Sequence, residues 1–244
     1  MDNASLVSLS YQLAAFRSMD VIANNLANVS TPGFKREDMR FEELIQHVQP
    51  AEDQKGPQAV SFVHDVGMTR DLSDGRFETT GAPFDLAIAG RGFFTVQTAA
   101  GERYTRNGHF TLNADGIIVT EQGDPLLGDG GPITVTVDDG DVSIGPDGTV
   151  SGKQGQMAKI RLVDFANERA MVKRGASLYS TSQSAVPAAD ATLKQGMIES
   201  SNVQPVVEIS RMIEMMRCYE AVATLAKSTD DLKRQAIDKL GSVQ

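Results

Sequence analysis

The sequence predicts an α+β protein: N- and C-terminal amphipathic helices that pair as a coiled coil, with a central all-β domain of antiparallel sandwich or barrel-like character. Three observations carry this. Apolar residues recur at three- and four-residue steps near both ends of the chain. Between them the texture changes to short alternating runs rich in Thr, Val, Ile and Phe. Those runs are broken by glycine turns such as Ala114-Asp115-Gly116 and Pro146-Asp147-Gly148. The 244 residues divide accordingly into an N-terminal helix and turn (1–34), an extended or loop connector (35–80), the β domain (81–190) and a C-terminal helix (191–244).

The first helix is marked by Leu6, Leu9, Leu13 and Phe16, which share one stripe that Met19, Ile22 and Leu26 continue with some drift. That pattern spans about six turns. It stops at Asn24, Asn25 and Asn28, followed by Ser30-Thr31-Pro32-Gly33, where proline removes a backbone donor and glycine permits a left-handed turn. In the connector, Phe41-Glu42-Glu43-Leu44-Ile45 reads as either a short helix or an extension, and the polar stretch from Gln49 to Gln58 reads as a loop.

Turn chemistry at Thr79–Pro83 leads into an apolar strand, Phe84–Ala89. Further strands are expected at Phe93–Gln97, Arg103–Arg106, Phe110–Leu112, Ile117–Thr120, Ile133–Val137, Val142–Ile144 and Met157–Phe165. One internal echo stands out. The pattern Phe110-x-Leu112-x-x-Asp115-Gly116-x-Ile118 returns thirty-two positions later as Val142-x-Ile144-x-x-Asp147-Gly148-x-Val150. It implies two similar hairpins, from duplication of a β unit or from convergent turn chemistry.

The last helix starts near Ser200-Ser201-Asn202, with Pro205 in its first turn. Val206, Ile209, Ile213 and Met216 form one stripe, and Met212, Met215, Tyr219 and Val222 form a second beside it. The helical pattern continues through Leu225, Leu232 and Ala236 to Leu240, with Gly241 as the stop.

Composition removes several function classes. A net charge of −9 argues against nucleic acid as a partner, which needs a basic stripe to release counterions. The longest apolar run falls far short of the roughly 20 residues of a membrane span. The opening Met1-Asp2-Asn3-Ala4-Ser5 has neither a basic nor an apolar leader segment, so no cleaved signal peptide is expected. The single cysteine, Cys218, excludes an internal disulfide and reads as a small buried hydrophobe beside Met215, Met216, Tyr219 and Val222.

Catalytic, cofactor and metal signatures fail in the same way. Gly90-Arg91-Gly92 follows a strand as a dinucleotide fingerprint would, but Thr95 replaces the third glycine and Phe93–Val96 is β-forming, so a hairpin turn is expected. His47, His64 and His109 lack zinc-ligand spacing. From Asn107 to Gly152 there are eight acids and no Lys or Arg, whereas Lys153 to Arg174 holds six basic residues. Without calcium-loop spacing, the acids read as a solvated face. The reading is of a protein that is not an enzyme and carries no cofactor or metal.

The sharper signal is specific. Asp20-Val21-Ile22-Ala23-Asn24-Asn25-Leu26-Ala27-Asn28-Val29-Ser30-Thr31-Pro32-Gly33-Phe34-Lys35-Arg36 resembles the N-terminal signature of bacterial flagellar rod and hook proteins. Three more blocks share the likeness: Phe84–Phe94, Tyr104–Phe110, and Ser201-Asn202-Val203 through Tyr219-Glu220-Ala221. Together they span nearly the whole chain.

The resemblance implies a self-assembling subunit of the periplasmic drive shaft, exported by the flagellar type III apparatus and packed against itself and neighbouring axial proteins. It implies that the terminal helices pair in the inner layer of a helical tube and that the β domain forms the outer layer. On this expectation Leu9, Leu13, Phe16, Ile22, Leu26 and Phe34 carry assembly contacts from the N-terminal side. Asn202, Val206, Ile209, Met212, Ile213, Met216 and Tyr219 carry them from the C-terminal side. Asn24, Asn25 and Asn28 satisfy backbone groups at the helix end, while Pro32 and Gly33 turn the chain outward. The opening residues and modest length are most like the proximal-rod type, with the distal-rod type as the alternative. A non-flagellar carbohydrate-binding module is the remaining reading, poorly served by a chain with no Trp and four Tyr.

Overall fold

The computed structural model describes residues 3–48, 58–136, 139–175 and 177–241. They fall into two compact units, one comprising Met1–Ala27, Glu37–Arg70 and Gln204–Gln244, the other Asn28–Arg36 and Asp71–Val203. Both units are discontinuous in sequence.

The first unit contains helix α1 (Asn3–Ala27), strands β1 (Glu37–Val48) and β2 (Gln58–Arg70), and helix α2 (Pro205–Gly241). α1 runs 25 residues without Gly or Pro, about 37 Å at 1.5 Å per residue. α2 runs 37 residues, about 55 Å. Pro205 opens α2, where a missing N–H breaks no intrahelical bond. The Gln204 carbonyl accepts the first one, from the Glu208 amide at 3.0 Å. The two helices pack together, and the Tyr11 hydroxyl lies 3.3 Å from the Cys218 sulfur across them.

The connector is more ordered than its sequence suggests. β1 and β2 pair antiparallel from Glu37↔Arg70 to Val48↔Gln58, with one bulge at Arg40/Phe41 that Gly67 accommodates at φ 126°. Phe41–Ile45, ambiguous between helix and extension, is strand. Alternation of Met39 and Phe41 with Asp38, Arg40 and Glu42 is the period that wins. The expected loop from Gln49 lies outside the described residues except for Gln58, which opens β2.

The second unit is all β. It begins with β3 (Phe77–Thr79), β4 (Leu86–Ala89), β5 (Phe93–Thr98) and β6 (Gly101–Thr105). Its largest sheet has six strands in the order 172–173, 178–180, β6, β5, 162–164, 186–187, and every pairing is antiparallel. β5 sits inside this sheet with a core on each face, because neighbouring side chains on a strand point to opposite sides. Phe94 and Val96 join Leu86, Ile88, Phe110, Ile118 and Leu126 in one cluster. Phe93 joins Val163, Phe165, Met171 and Tyr179 in the other. Edge-on aromatic contacts run through both, Phe94 to Phe110 at 5.1 Å and Phe93 to Tyr179 at 5.9 Å between ring centres.

The sequence echo is real in three dimensions. Leu112 pairs with Ile118 in one hairpin and Ile144 with Val150 in the other. Each turn closes by the same two backbone bonds: Asn113 N–H to Ile117 and Gly116 N–H to Asn113 in the first, Gly145 N–H to Thr149 and Gly148 N–H to Gly145 in the second. Gly116 and Gly148 both have positive φ, 75° and 85°. Ile118 and Val150 occupy equivalent places in the same core.

Four expectations need correction. Gly90–Gly92 is not a hairpin turn: β4 pairs with Thr192–Gln195 whereas β5 pairs with β6, so the glycines carry the chain between sheets at φ 94° and 144°. Met157–Phe165 is two strands, Gly155–Lys159 and Leu162–Asp164, separated where Ile160 bridges Gly128. Ile133–Val137 is not continuous strand: the pairing falls at Gly131–Pro132, Thr134 makes an isolated bridge to Ile117, and Val137 lies outside the described residues. Residues 192–199 are not helical, since Met197–Glu199 pairs with β3 and Thr192–Gln195 with β4, and α2 begins only at Pro205. Among the described residues no helix is long and apolar enough to cross a membrane.

Phe94 is fully buried at the centre of the larger core, so Phe94→Ala is expected to cost about 3–5 kcal/mol of stability through lost burial and a residual cavity. Urea denaturation measures it, and a loss below about 1 kcal/mol would contradict this packing.

Candidate assembly surfaces

Each helix of the first unit has an occupied side and an open side. On α1, Ala15, Ile22 and Asn25 are buried, and Met19 and Leu26 are half-buried. On α2, Glu208 is buried, and Met212, Met215, Cys218, Val222 and Ala226 are half-buried at three- and four-residue steps. The open sides hold the apolar stripes. Leu9, Leu13 and Phe16 are 51%, 55% and 57% exposed, and Ile209, Ile213 and Met216 are 45%, 47% and 49% exposed. Leu6, Val206, Tyr219, Leu225 and Leu232 are exposed as well. The stripes Leu9-Leu13-Phe16 and Ile209-Ile213-Met216 therefore point away from the intrachain contact, which mixes Ile22, Leu26, Met212 and Met215 with small and polar side chains. Of the helix residues expected to carry assembly contacts, Ile22, Leu26 and Met212 lie instead on the occupied sides.

Where α1 ends, Asn25 makes a polar junction inside the same unit. Its amide donates to the Glu37 carbonyl at 2.8 Å and to the Glu208 carboxylate at 3.1 Å, and its oxygen accepts the Glu37 N–H at 3.0 Å. One side chain thus ties α1 to the first residue of β1 and the first turn of α2. Arg70 faces Glu37 at 3.2 Å, while Arg211 lies 3.4 Å from Glu208 and 3.7 Å from Asp38. Asn24 is exposed.

In the second unit, the segment after α1 and the segment before α2 are held together. Asn28 accepts from the Thr31 hydroxyl at 3.2 Å and from the Thr31 amide. Pro32 is half-buried beside them. Gly33 adopts φ 66°, and a Cβ there would fall 2.3 Å from the Arg106 backbone, so only glycine fits. Phe34 is buried beneath the Lys173 ammonium, 4.3 Å from the ring centre. Asn202 accepts the Arg36 N–H at 2.7 Å and donates to the Asp71 and Ser73 carbonyls at 3.0 and 3.1 Å.

Below Asn202 lies a buried charge cluster. Lys35 donates to Glu199 at 2.6 Å and to the Ser73 carbonyl at 2.7 Å. Arg106 approaches Glu199 at 3.7 Å and Asp74 at 3.0 Å. Burial pulls the Lys35 ammonium below its ordinary pKa, opposed by Glu199 and reinforced by Arg106. Sequence reasoning missed Glu37, Glu199 and Glu208 as organising residues. For Glu199 and Glu208 the available signal was an acid beside apolar residues, as in Met197-Ile198-Glu199 and Val206-Val207-Glu208-Ile209, whereas Glu37 sits in the charged run Lys35-Arg36-Glu37-Asp38.

Elsewhere the chemistry is ordinary. His109 lies 2.6 Å from Asp85 and 3.9 Å from Glu121. A groove of about 770 Å³ holds charges of both signs, with Arg161 paired to Glu102 at 2.6 Å. Among the described residues no three His, Cys, Asp or Glu side chains gather to hold a metal.

Comparison with known proteins follows the same map. Residues 13–35 match the family described as flagella basal body rod protein, 87–152 the flagellar hook protein FlgE/F/G D1 domain, and 194–239 the flagellar basal body rod FlgEFG protein C-terminal family. The flagellar basal-body rod protein FlgF of Caulobacter vibrioides is 44% identical over 246 residues, covering 100% of both chains. FlgF of Mesorhizobium japonicum is 33% identical over 99% of each. The rod protein FlgG of Bacillus subtilis is 31% identical over 90% of this chain and 92% of its own.

Asn25→Ala is expected to cost about 1–3 kcal/mol by leaving buried partners unsatisfied. Asn25→Asp, nearly isosteric, should cost more, because it loses both donors and sets a second carboxylate against Glu208. Denaturant melts at neutral pH compare them, and a milder Asn25→Asp would contradict this junction.

Proposed function

The chain belongs to the flagellar basal-body rod protein family, as a structural axial subunit of the rod, and on that premise we propose that it builds the proximal rod through its two outer helical stripes. In this reading Leu9, Leu13 and Phe16 of one copy, with Val206, Ile209, Ile213 and Met216, pack against helices of neighbouring copies and other axial proteins. Tyr219 flanks that surface, Ile22, Leu26 and Met212 hold the intrachain side, and Asn25 fixes the end of α1 against the starts of β1 and α2. A contact between different patches, repeated with a rotation that does not close, generates a helical shaft. The observation that carries the reading is the exposure of both stripes while α1 and α2 already occupy each other.

The proximal assignment draws its support from the full-length match to FlgF-type relatives, whereas the FlgG relative aligns with less of either chain. The subunit would reach the periplasm through the flagellar type III apparatus without a cleaved signal, and would transmit torque mechanically, without catalysis. The chain carries no disulfide to impede passage in an unfolded state, since it has one cysteine.

The test is complementation of a deletion strain. Ile213→Asp and Leu13→Asp introduce a charge at positions that are half-exposed in the lone chain, so the purified variants should keep wild-type circular dichroism and melting within about 0.5 kcal/mol. They should nevertheless fail to restore swimming or complete rods in purified basal bodies. Full motility with either variant would contradict the assignment of these stripes.

A further inference from the structure

The β unit cannot neutralise its interior until the chain's late residues are present. Lys35 and Arg106 are only 2% and 5% exposed, and the carboxylate set between them, Glu199, is 1% exposed. Asp74, the other acid of the cluster, is 41% exposed and lies 3.9 Å from Lys35. Burying two cations against that half-exposed carboxylate alone is strongly unfavourable.

Glu199 gathers backbone as well as charge. Its carbonyl accepts the Gly33 N–H at 2.7 Å, and its carboxylate accepts the Gly75 N–H at 2.9 Å. A Cβ on Gly75 would fall 1.8 Å from the Ser200 carbonyl oxygen, so the two backbones are in direct contact. The same late stretch supplies Leu193 to the main core and the partner strands of β3 and β4. Residues 28–36, 71–106 and 192–203 thus close on one point, separated by more than 160 positions between Lys35 and Glu199.

We propose that Glu199 is a folding latch: the β unit closes only when Glu199 reaches Lys35 and Arg106, so a chain emerging from its N-terminus stays open until nearly all of the unit, to Val203, has been delivered. The use of such a latch, to keep an exported subunit unfolded in transit, rests on the export reading above. The latch itself is a property of the chain. Closing such distant partners is slow because the loop entropy is lost before the contact forms.

Refolding of the full chain from urea, followed by pulsed hydrogen exchange, tests it. The Ile118 and Leu126 amides, bonded to Ile133 and Ile118 within the core, should gain protection in the same kinetic phase as the Gly33 and Gly75 amides. Core protection in an earlier phase would overturn the proposal. Glu199→Gln should slow that phase by at least about tenfold while changing the unfolding rate far less. An unchanged folding rate with faster unfolding would also overturn it. If Glu199→Gln does not fold, labelling of the unaltered chain decides alone. Neither result touches rod membership, which the complementation experiment tests separately.

Discussion

Two helices can cover only one side of each other, and the rest of this molecule follows from how its apolar residues are divided between those sides. The intrachain side mixes the small residues Ala15, Cys218 and Ala226, which let helices approach, with Ile22, Leu26, Met212 and Met215, and a second set of large apolar side chains is left outside. Leu9, Leu13, Phe16, Ile209, Ile213 and Met216 are each about half exposed. Completing their burial would contribute of order 1 kcal/mol apiece, several kcal/mol per subunit before the entropy lost on association. That margin suits a contact repeated along a filament, where each copy is held by several neighbours.

Such a surface is useful only if its geometry is fixed, which is where the polar interior enters. Asn25 binds the end of α1 to the starts of β1 and α2 with three hydrogen bonds, all within one unit. In the other unit, Asn202 and the Lys35–Glu199–Arg106 cluster fasten the two stretches that lead to the helices. Buried ion pairs contribute little net stability compared with apolar packing, but an incorrect arrangement leaves a charge unpaired and is heavily penalised. Their contribution is to define one arrangement among many.

The helices and the β texture were legible because their periods are long and regular. Leu6 to Phe16 and Val206 to Met216 repeat without interruption, and the paired Asp-Gly turns placed two hairpins whose registers match. The direction of the stripes was not legible, since spacing gives a face but not its partner. The β1–β2 ribbon was hidden because Glu42-Glu43 interrupts the alternation of Met39 and Phe41. The strands at 192–199 were obscured by their nearness to a strong helix. The buried acids were missed for a different reason: a carboxylate's neutralising partner can lie far away in sequence, as Lys35 does from Glu199.

Site-specific photocrosslinking in assembled basal bodies tests the central claim most directly. A photoreactive residue at Leu13 or Ile213 should give intermolecular products with axial proteins, and one at Ala15 should give bonds within the same chain. Intermolecular products from Ala15, with none from Leu13 or Ile213, would contradict the division of faces on which this account depends.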